Sequence, residues 1–285
     1  MASSDGIRTF TPSSLATLRG HFTGLDTSLH GSKWDQLWTE NFAPWDRGVP
    51  NPALDEVLTE RKDLLGSVKL EGGKRKKALV PGCGMGYDVL LLAAHGYDAY
   101  GLEISENALK GARKTEAGSA GKEEYAVRDK GVGKGKVTFL SGDYFKDDFV
   151  KEVEGDGKFD IIFDYTFLCA LPPSLRPAWA LRKSQLLSPT GRLICLEFPS
   201  TKPVSSGGPP YALPPVVYEG HLPRPGQELA YDSEGNISTD KLGEEAKDGL
   251  VMLAHIKPKK THQVINIGVD ESGKVLDWVG VWAHK

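Results

Sequence analysis

Short apolar runs alternate with amphipathic segments along most of the chain, a pattern typical of parallel strands connected by helices. Residues 78–81 form the first apolar run, and the leucine- and alanine-rich residues 89–94 have a helical pattern. Later apolar runs predict further strands at residues 97–104, 136–140, 159–163 and 192–198. This order implies right-handed crossovers and a doubly wound α/β sheet, with ligands at the carboxyl ends of its strands.

Other segments depart from this alternation. Residues 1 to about 20 are polar, and we expect them to be loosely held. A Ser-Pro-Thr-Gly turn at residues 188–191 is expected before the last parallel strand. Two β-rich runs, 250–269 and 275–283, are separated by Glu271-Ser-Gly273, which predicts a hairpin turn. An antiparallel hairpin therefore completes the predicted sheet.

A glycine-rich turn follows the first predicted strand, with glycines at positions 82, 84 and 86. Glycine allows the backbone to turn tightly and to approach a ligand closely. Near the end of the next predicted strand lies Glu103, whose carboxylate is suited to accept hydrogen bonds from two ribose hydroxyls. This unit therefore predicts a nucleoside-binding site.

The glycine spacing distinguishes between kinds of nucleoside site. The dinucleotide fingerprint would place its third glycine where this chain has Tyr87, and the lysine of a phosphate-binding loop is missing. The Pro-Gly-Cys-Gly-x-Gly sequence and the acidic strand end instead resemble the first motif of class I S-adenosylmethionine-dependent methyltransferases. A glycine-rich turn without a ligand and an NAD site are the less favoured interpretations.

Composition is that of an ordinary globular protein. Of the 285 residues, 39% are hydrophobic and 26% are charged, and the net charge of -3 gives no reason to expect nucleic acid as a partner. No apolar stretch reaches membrane-spanning length, and the N-terminus lacks the apolar core of a signal peptide. The three cysteines lack metal-ligand spacing and are expected to be reduced. We therefore expect a cytoplasmic protein without a metal or membrane partner.

Two further segments follow predicted strands at the ligand-binding edge. Asp143 and Tyr144 follow the third strand, where the carboxylate could take the adenine amino group and the ring could pack on the base; a turn-capping aspartate is the alternative. Tyr165 follows the fourth strand beside Asp164, where such folds place groups that face the transferred methyl. No Asn-Pro-Pro-Tyr sequence occurs there, and the Pro-Pro-Tyr211 run follows the fifth strand instead. Methylation of nucleic-acid amines is therefore disfavoured.

Three tryptophans occur in one short N-terminal segment. Trp34 and Trp38 are four residues apart and share one face of a predicted helix, and Trp45 follows them. One interpretation is an apolar helix face that packs on the sheet. The other is a lid of indole rings over the sulfonium of the cofactor, whose positive charge favours aromatic faces.

Six motifs occur in order over residues 33–222. They are Trp-x-x-x-Trp, Pro-Trp-Asp-x-Gly-x-Pro, Val-Pro-Gly-Cys-Gly-x-Gly, Asp-Tyr-x-Phe-x-Cys-Ala, Arg-Pro-x-Trp and Gly-Gly-Pro-Pro-Tyr. This set resembles the thiopurine S-methyltransferase superfamily, in particular its thiol/halide methyltransferase branch from plants and fungi. The resemblance implies a class I fold with a mostly parallel seven-stranded sheet and S-adenosyl-L-methionine as cofactor. The cofactor-binding residues that it implies are Trp34, Trp38, Trp45, Gly82, Gly84, Glu103, Asp143, Tyr144 and Tyr165.

The same resemblance implies in-line displacement of the cofactor's methyl group by a small soft nucleophile, which would be a thiol, hydrosulfide, a halide or thiocyanate. Tyr165 and Tyr211 would be the catalytic residues and would donate hydrogen bonds that orient the anion; the alternative is that these tyrosines anchor loops through their hydroxyls. The drug-methylating branch carries an arginine where this chain has Tyr165, which points away from thiopurines. We expect a small-molecule acceptor and a monomeric enzyme.

We interpret residues 1–285 as one methyltransferase domain. Residues 1–65 would form an N-terminal lid and helix, residues 78–200 the nucleoside-binding core, and residues 201–285 a substrate-side loop and the C-terminal strands. Three alternatives stay open: an S-methyltransferase for a larger thiol of secondary metabolism, a non-catalytic module that binds the cofactor, and an NAD-dependent oxidoreductase.

Overall fold

The computed structural model describes residues 11–264 and 268–285. Within them the α-helices are α1 (Pro12–Phe22), α2 (His30–Thr39), α3 (Pro52–Glu60), α4 (Lys62–Leu65), α5 (Tyr87–Ala94), α6 (Glu106–Ala117), α7 (Arg176–Leu186) and α8 (Pro215–His221). The strands are β1 (Lys77–Pro81), β2 (Asp98–Glu103), β3 (Val137–Ser141), β4 (Phe159–Asp164), β5 (Leu187–Glu197), β6 (Leu250–Ile256) and β7 (Trp278–His284).

These strands form one sheet in the order β3-β2-β1-β4-β5-β7-β6. Neighbouring strands from β1 to β5 pair in parallel, whereas β7 runs antiparallel between β5 and β6. The order of the strands reverses between β1 and β4, and doubly wound folds bind ligands in the crevice at such a point. The predicted doubly wound, mostly parallel sheet with an antiparallel C-terminal pair is therefore confirmed.

Helix starts near this crevice are fixed by local hydrogen bonds. Helix α3 begins where the Asn51 side chain accepts the backbone N–H of Ala53 at 2.8 Å, with proline as its first residue. Helix α6 begins where the Ser105 hydroxyl accepts the N–H of Ala108 at 3.1 Å. Helix α5 follows Gly86, whose φ of +78° favours glycine. Helices α5 and α6 follow β1 and β2, so their first residues lie beside the carboxyl ends of those strands.

The N-terminal segment is more ordered than expected. Residues 1–10 lie outside the described residues, but α1 follows directly, with Leu18 and Phe22 buried. A reciprocal capping box between Thr11 and Ser14 starts this helix. The expectation of a loosely held segment up to about residue 20 is therefore wrong, because two apolar side chains one turn apart are enough to dock the helix.

Two details of the C-terminal half also differ from expectation. The turn expected at residues 188–191 lies inside β5, because Leu187 already pairs with Phe159 before a register shift in the ladder. The turn at residues 271–273 is closed by a bridge between Val269 and Val275 within the connection from β6 to β7. The two strands pair from Leu250 with His284 to Ile256 with Val279, and the connection between them carries His262 to the cavity.

Candidate active site

A cavity of about 730 Å³ lies at the carboxyl ends of the parallel strands, beneath α2 and the segment after it. This size falls within the roughly 300–1,000 Å³ of small-molecule sites. Nine of the ten predicted site residues line it, namely Trp34, Trp38, Trp45, Gly82, Gly84, Glu103, Asp143, Tyr144 and Tyr165. Tyr211 is the exception, since Pro209 and Pro210 line the cavity but Tyr211 does not.

The glycine loop after β1 leaves room for a ligand because its glycines have no side chains. Gly82 and Gly84 have φ values of +60° and +51°. A Cβ added at Gly82 would lie 2.6 Å from the Phe167 ring, and one at Gly84 would lie 3.3 Å from the Trp38 ring. A larger residue would therefore both strain the backbone and close the cavity.

Glu103 is held by backbone N–H groups. Its Oε2 accepts the N–H of Gly84 at 3.0 Å, and its Oε1 accepts those of Ile104 and Ser105 at 2.9 Å and 3.0 Å. Burial raises the pKa of Glu103, and the backbone donors oppose that change. A carboxylate offers about four lone-pair positions, so this one retains capacity for a ribose hydroxyl.

The predicted adenine end contains an aromatic residue that the sequence analysis missed. Asp143 accepts the backbone N–H of Phe145 at 2.9 Å, which fixes its carboxylate at the cavity wall. Tyr144 is buried with only 4% of its surface exposed, and its ring packs edge-on against Phe167 at 4.9 Å. Phe145 is half-buried and also lines the cavity. It can therefore pack against a base, while Tyr144 forms the wall behind.

A buried ion pair supports the loop after β4. The Lys183 Nζ lies 2.7 Å from Oδ2 of Asp164, and both side chains are almost fully buried. The Asp164 carboxylate also accepts the Trp179 indole N–H at 2.8 Å and the backbone N–H of Leu168 at 3.1 Å. These contacts fix the direction in which the chain leaves β4, and so the position of Tyr165.

The three tryptophans form a cluster of edge-on contacts. Ring centroids are 5.0 Å apart between Trp34 and Trp45, and 5.5 Å apart between Trp38 and Trp45. Phe22 of α1 packs on Trp34 from outside at 4.5 Å. All three indoles are half-buried and line the cavity. They therefore pack as an apolar cluster, as the first interpretation expects, and also face the ligand space, as the lid interpretation expects.

The Tyr165 hydroxyl is part of a chain of hydrogen bonds. It lies 3.0 Å from Nδ1 of His262, whose Nε2 lies 3.2 Å from the carbonyl oxygen of Pro50. Because a carbonyl oxygen only accepts, Nε2 carries the imidazole hydrogen and Nδ1 accepts the tyrosine proton. Burial lowers the pKa of His262 to about 4, which keeps the ring neutral. In this tautomer the Tyr165 proton is directed at His262, and the role of Tyr165 towards the methyl acceptor stays a prediction.

Residues 29–245 match the family model described as thiopurine S-methyltransferase. The chain belongs to this family. It is 36% identical to "Probable thiol methyltransferase 2" of Arabidopsis thaliana over 87% of this chain and 94% of that protein. It is also 36% identical to "Thiocyanate methyltransferase 1" of the same plant, over 73% of this chain and 76% of that protein.

A solved structure supports the fold assignment. It is the magnesium protoporphyrin IX methyltransferase of Synechocystis with bound SAH, which has a TM-score of 0.50 and 14% identity and covers 95% of this chain and 100% of that chain. Together with the family match, the class I fold, the methyltransferase activity and the use of S-adenosyl-L-methionine as cofactor are as predicted.

Other residues of this methyltransferase line the cavity without having been predicted. Arg47 and His262 approach Tyr165 from opposite ends of the chain, so no local pattern could have assigned them. Asp88 also lines the cavity and accepts the backbone N–H of Asn51 at 2.7 Å. The position of Asp88 two residues after the last glycine of the loop could have indicated that it lies at the site. Burial raises its pKa to about 6.

The described residues contain neither a candidate metal-binding cluster nor a candidate membrane-spanning helix. Among residues 11–264 and 268–285, no group of three His, Cys, Asp or Glu side chains is arranged to hold a metal ion. Over the same part of the chain, no helix has the length and apolar character that crossing a bilayer requires.

Proposed function

We propose that this methyltransferase transfers the methyl group of S-adenosyl-L-methionine to a small soft nucleophile, namely a thiol, hydrosulfide, thiocyanate or a halide. The observation that carries the proposal is the 36% identity, over most of the chain, to a plant protein named as a thiol methyltransferase. A second relative at the same identity is named for thiocyanate. The aromatic and aliphatic lining of the cavity beside Tyr165 suits an acceptor of this kind.

In the reaction that this proposal implies, the protein mainly has to align the nucleophile with the methyl group and to exclude water. An electron pair of the nucleophile forms the bond to the methyl carbon, and the pair of the breaking S–C bond returns to sulfur. Because a cation and an anion neutralise each other, a water-poor site that aligns them favours the transition state. Trp34, Trp45 and Phe167 would supply the dry walls.

We assign the cofactor-binding roles as follows. Glu103 would take the ribose hydroxyls, since its carboxylate stands at the end of β2 with its orientation fixed by backbone donors. Asp143, with Tyr144 and Phe145, would take the adenine. Gly82 and Gly84 would let the backbone approach the methionine part. The three tryptophans, part of the proposed lid in residues 1–65, would cover the sulfonium.

Among the described residues that line the cavity, the imidazole beside Tyr165 is not arranged as a general base. His262 is neutral, and both of its ring nitrogens are engaged with Tyr165 and Pro50. We therefore propose that the enzyme selects a nucleophile that is already ionised. With iodide at saturating cofactor, the rate should stay nearly flat through neutral pH. With a thiol it should rise with the thiolate fraction, and a bell-shaped profile for iodide would contradict this proposal.

A screen of methyl acceptors tests the function directly. The purified protein would be incubated with S-adenosyl-L-methionine and, separately, hydrosulfide, thiocyanate, iodide, a small thiol, a bulky dithiol and a thiopurine. Formation of methylated product with the small anions supports the proposal. Turnover of the bulky dithiol alone would favour the larger-thiol alternative, and cofactor binding without any turnover would favour a non-catalytic module.

We further propose a monomer in a reducing compartment such as the cytoplasm, acting without nucleic acid. The cysteines at positions 83, 169 and 195 are free, as is usual where thiols stay reduced. The net charge of -3 does not favour binding to the negatively charged nucleic-acid backbone. Light scattering in solution would test the monomer.

A further inference from the structure

Arg47 brings a positive charge into the cavity. Among the described residues that line it, the arginine and lysine side chains are Arg47 and Lys146. Lys146 has 69% of its side chain exposed and lies 3.9 Å from Asp143, at the predicted adenine end. Arg47 is half-buried and stands beside the Tyr165 hydroxyl, near the carboxyl end of β4. The two cations therefore serve different ends of the cavity.

The surroundings of Arg47 support its charge. Burial lowers the pKa of Arg47, and the neighbouring Tyr165 and Asp46 oppose that change. Asp46 is itself fixed, because one of its carboxylate oxygens accepts the backbone N–H of Gly48 at 3.0 Å. Arginine remains protonated in proteins, so a full positive charge is kept in a partly dry cavity.

Tyr165 cannot orient an anion while it donates to His262, because a phenol has one proton to give. A guanidinium carries five N–H donors in a planar fork, so its contact with Tyr165 does not exhaust it. An anion that enters the cavity loses hydration, and a cation with N–H donors is the group that compensates for this loss. Arg47 meets this requirement, and the predicted tyrosine does not.

We propose that Arg47 receives the anionic acceptor and holds it for in-line attack, so that it selects charged soft nucleophiles over neutral ones. This rests on the methyl transfer to small anions proposed above. It replaces the orienting role that the sequence gave to Tyr165, which would instead position the guanidinium through the chain of contacts to His262 and Pro50.

The competing role for Arg47 is to bind the carboxylate of the cofactor's methionine part. The two roles predict different losses, because one affects the acceptor and the other the cofactor. Binding of thiocyanate to the protein saturated with S-adenosylhomocysteine would be measured by calorimetry, together with the affinity for S-adenosylhomocysteine itself. The variants are Arg47→Gln, Arg47→Lys and, as a matched control, Arg113→Gln, whose side chain is exposed on α6.

We expect Arg47→Gln to weaken thiocyanate binding by about tenfold to a hundredfold, the scale of a lost charge-assisted hydrogen bond. Arg47→Lys should keep part of the affinity, Arg113→Gln all of it, and S-adenosylhomocysteine should bind all variants alike. Unchanged thiocyanate affinity in Arg47→Gln, no thiocyanate binding by the wild type, or a loss confined to S-adenosylhomocysteine would each overturn the proposal.

Turnover separates this inference from the proposed function. If the wild type methylates thiocyanate while Arg47→Gln retains its KM, the inference fails and the function stands. If the wild type methylates no small anion, the function fails, and the binding experiment with the S-adenosylhomocysteine complex still decides whether Arg47 is an anion site.

Discussion

The proposed cofactor half of the cavity, around Glu103, and its proposed acceptor half, around Tyr165, are built in different ways. In the cofactor half, Glu103 is fixed by three backbone N–H groups, all from residues no more than 19 positions away. In the acceptor half, Tyr165 contacts His262 over 97 positions, and His262 contacts Pro50 over 212. The first half depends on backbone that the fold itself requires, whereas the second depends on side chains that meet only after the sheet has formed.

This difference suggests which half can change without loss of the fold. Replacing a side chain in the acceptor half leaves the backbone hydrogen bonds of the sheet in place, so the acceptor can change while the cofactor site persists. Replacing Glu103 leaves three backbone donors near the cavity without their partner. The following experiments test this contrast, in order of expected effect.

The largest effect is expected at the buried ion pair between the two halves. Lys183→Met leaves the Asp164 carboxylate buried without its cation, and we expect a loss of about 3–5 kcal/mol in the free energy of unfolding. Denaturant unfolding measures this loss. The double variant Asp164→Asn with Lys183→Met should lose less than Lys183→Met alone, because no unpaired charge remains.

Exposed Lys110 on α6 provides the control. Lys110→Met should leave unfolding nearly unchanged. Equal losses for the two lysine variants would mean that the ion pair does not fix the loop after β4.

The second effect concerns the cofactor half alone. Glu103→Ala should weaken S-adenosylmethionine binding by about 1.5–3 kcal/mol, because the ribose loses a charged acceptor. Calorimetry measures the affinity, and the exposed Glu152→Ala is the matched control. Unchanged affinity in a folded Glu103→Ala variant would contradict the ribose assignment.

Asp88 should make cofactor binding depend on pH. Burial raises its pKa to about 6, so the proton is bound more tightly in the folded protein than in the unfolded chain, where the ordinary value is 3.8. Protonated Asp88 therefore adds to the free energy of unfolding in full below pH 3.8, and this contribution is lost as pH rises through about 6. If the ionised carboxylate receives the cofactor's ammonium group, affinity should change in the opposite direction, rising with pH up to about 6 by at most about tenfold per pH unit.

Calorimetric titrations with S-adenosylhomocysteine on both sides of this pH measure the effect. Asp88→Asn should bind more weakly at neutral pH and lose the pH dependence. If the affinity of Asp88→Asn for S-adenosylhomocysteine depends on pH as that of the wild type does, the titrating group is not Asp88.

The smallest effect is expected at Tyr211. Its ring packs against Gly208 and does not line the cavity, so Tyr211→Phe should change kcat/KM by no more than about twofold. Tyr165→Phe should reduce it more, because the guanidinium of Arg47 then loses its neighbour. A larger loss for Tyr211→Phe than for Tyr165→Phe would restore the catalytic role that the sequence suggested.

The sequence predicted the parts of the molecule whose contacts are local. Apolar runs predicted the parallel strands. The sequence also placed the glycine loop beside Glu103, and the structure brings them together in the cavity, since both lie within one strand–helix–strand unit. His262 was not predictable, because its contact depends on where the connection from β6 to β7 passes over the sheet. The turn assigned to residues 188–191 was wrong because proline and glycine there occupy a bulged strand.

The position of β7 between β5 and β6 has a consequence for synthesis of the chain. Until residues 278–284 are available, the apolar edge of β5 has no neighbour and β6 cannot join the sheet. An open strand edge invites pairing with other chains. The nascent protein therefore carries an aggregation-prone edge from the time β5 (Leu187–Glu197) is made until β7 (Trp278–His284) follows, and the sheet closes only after these distant segments pair.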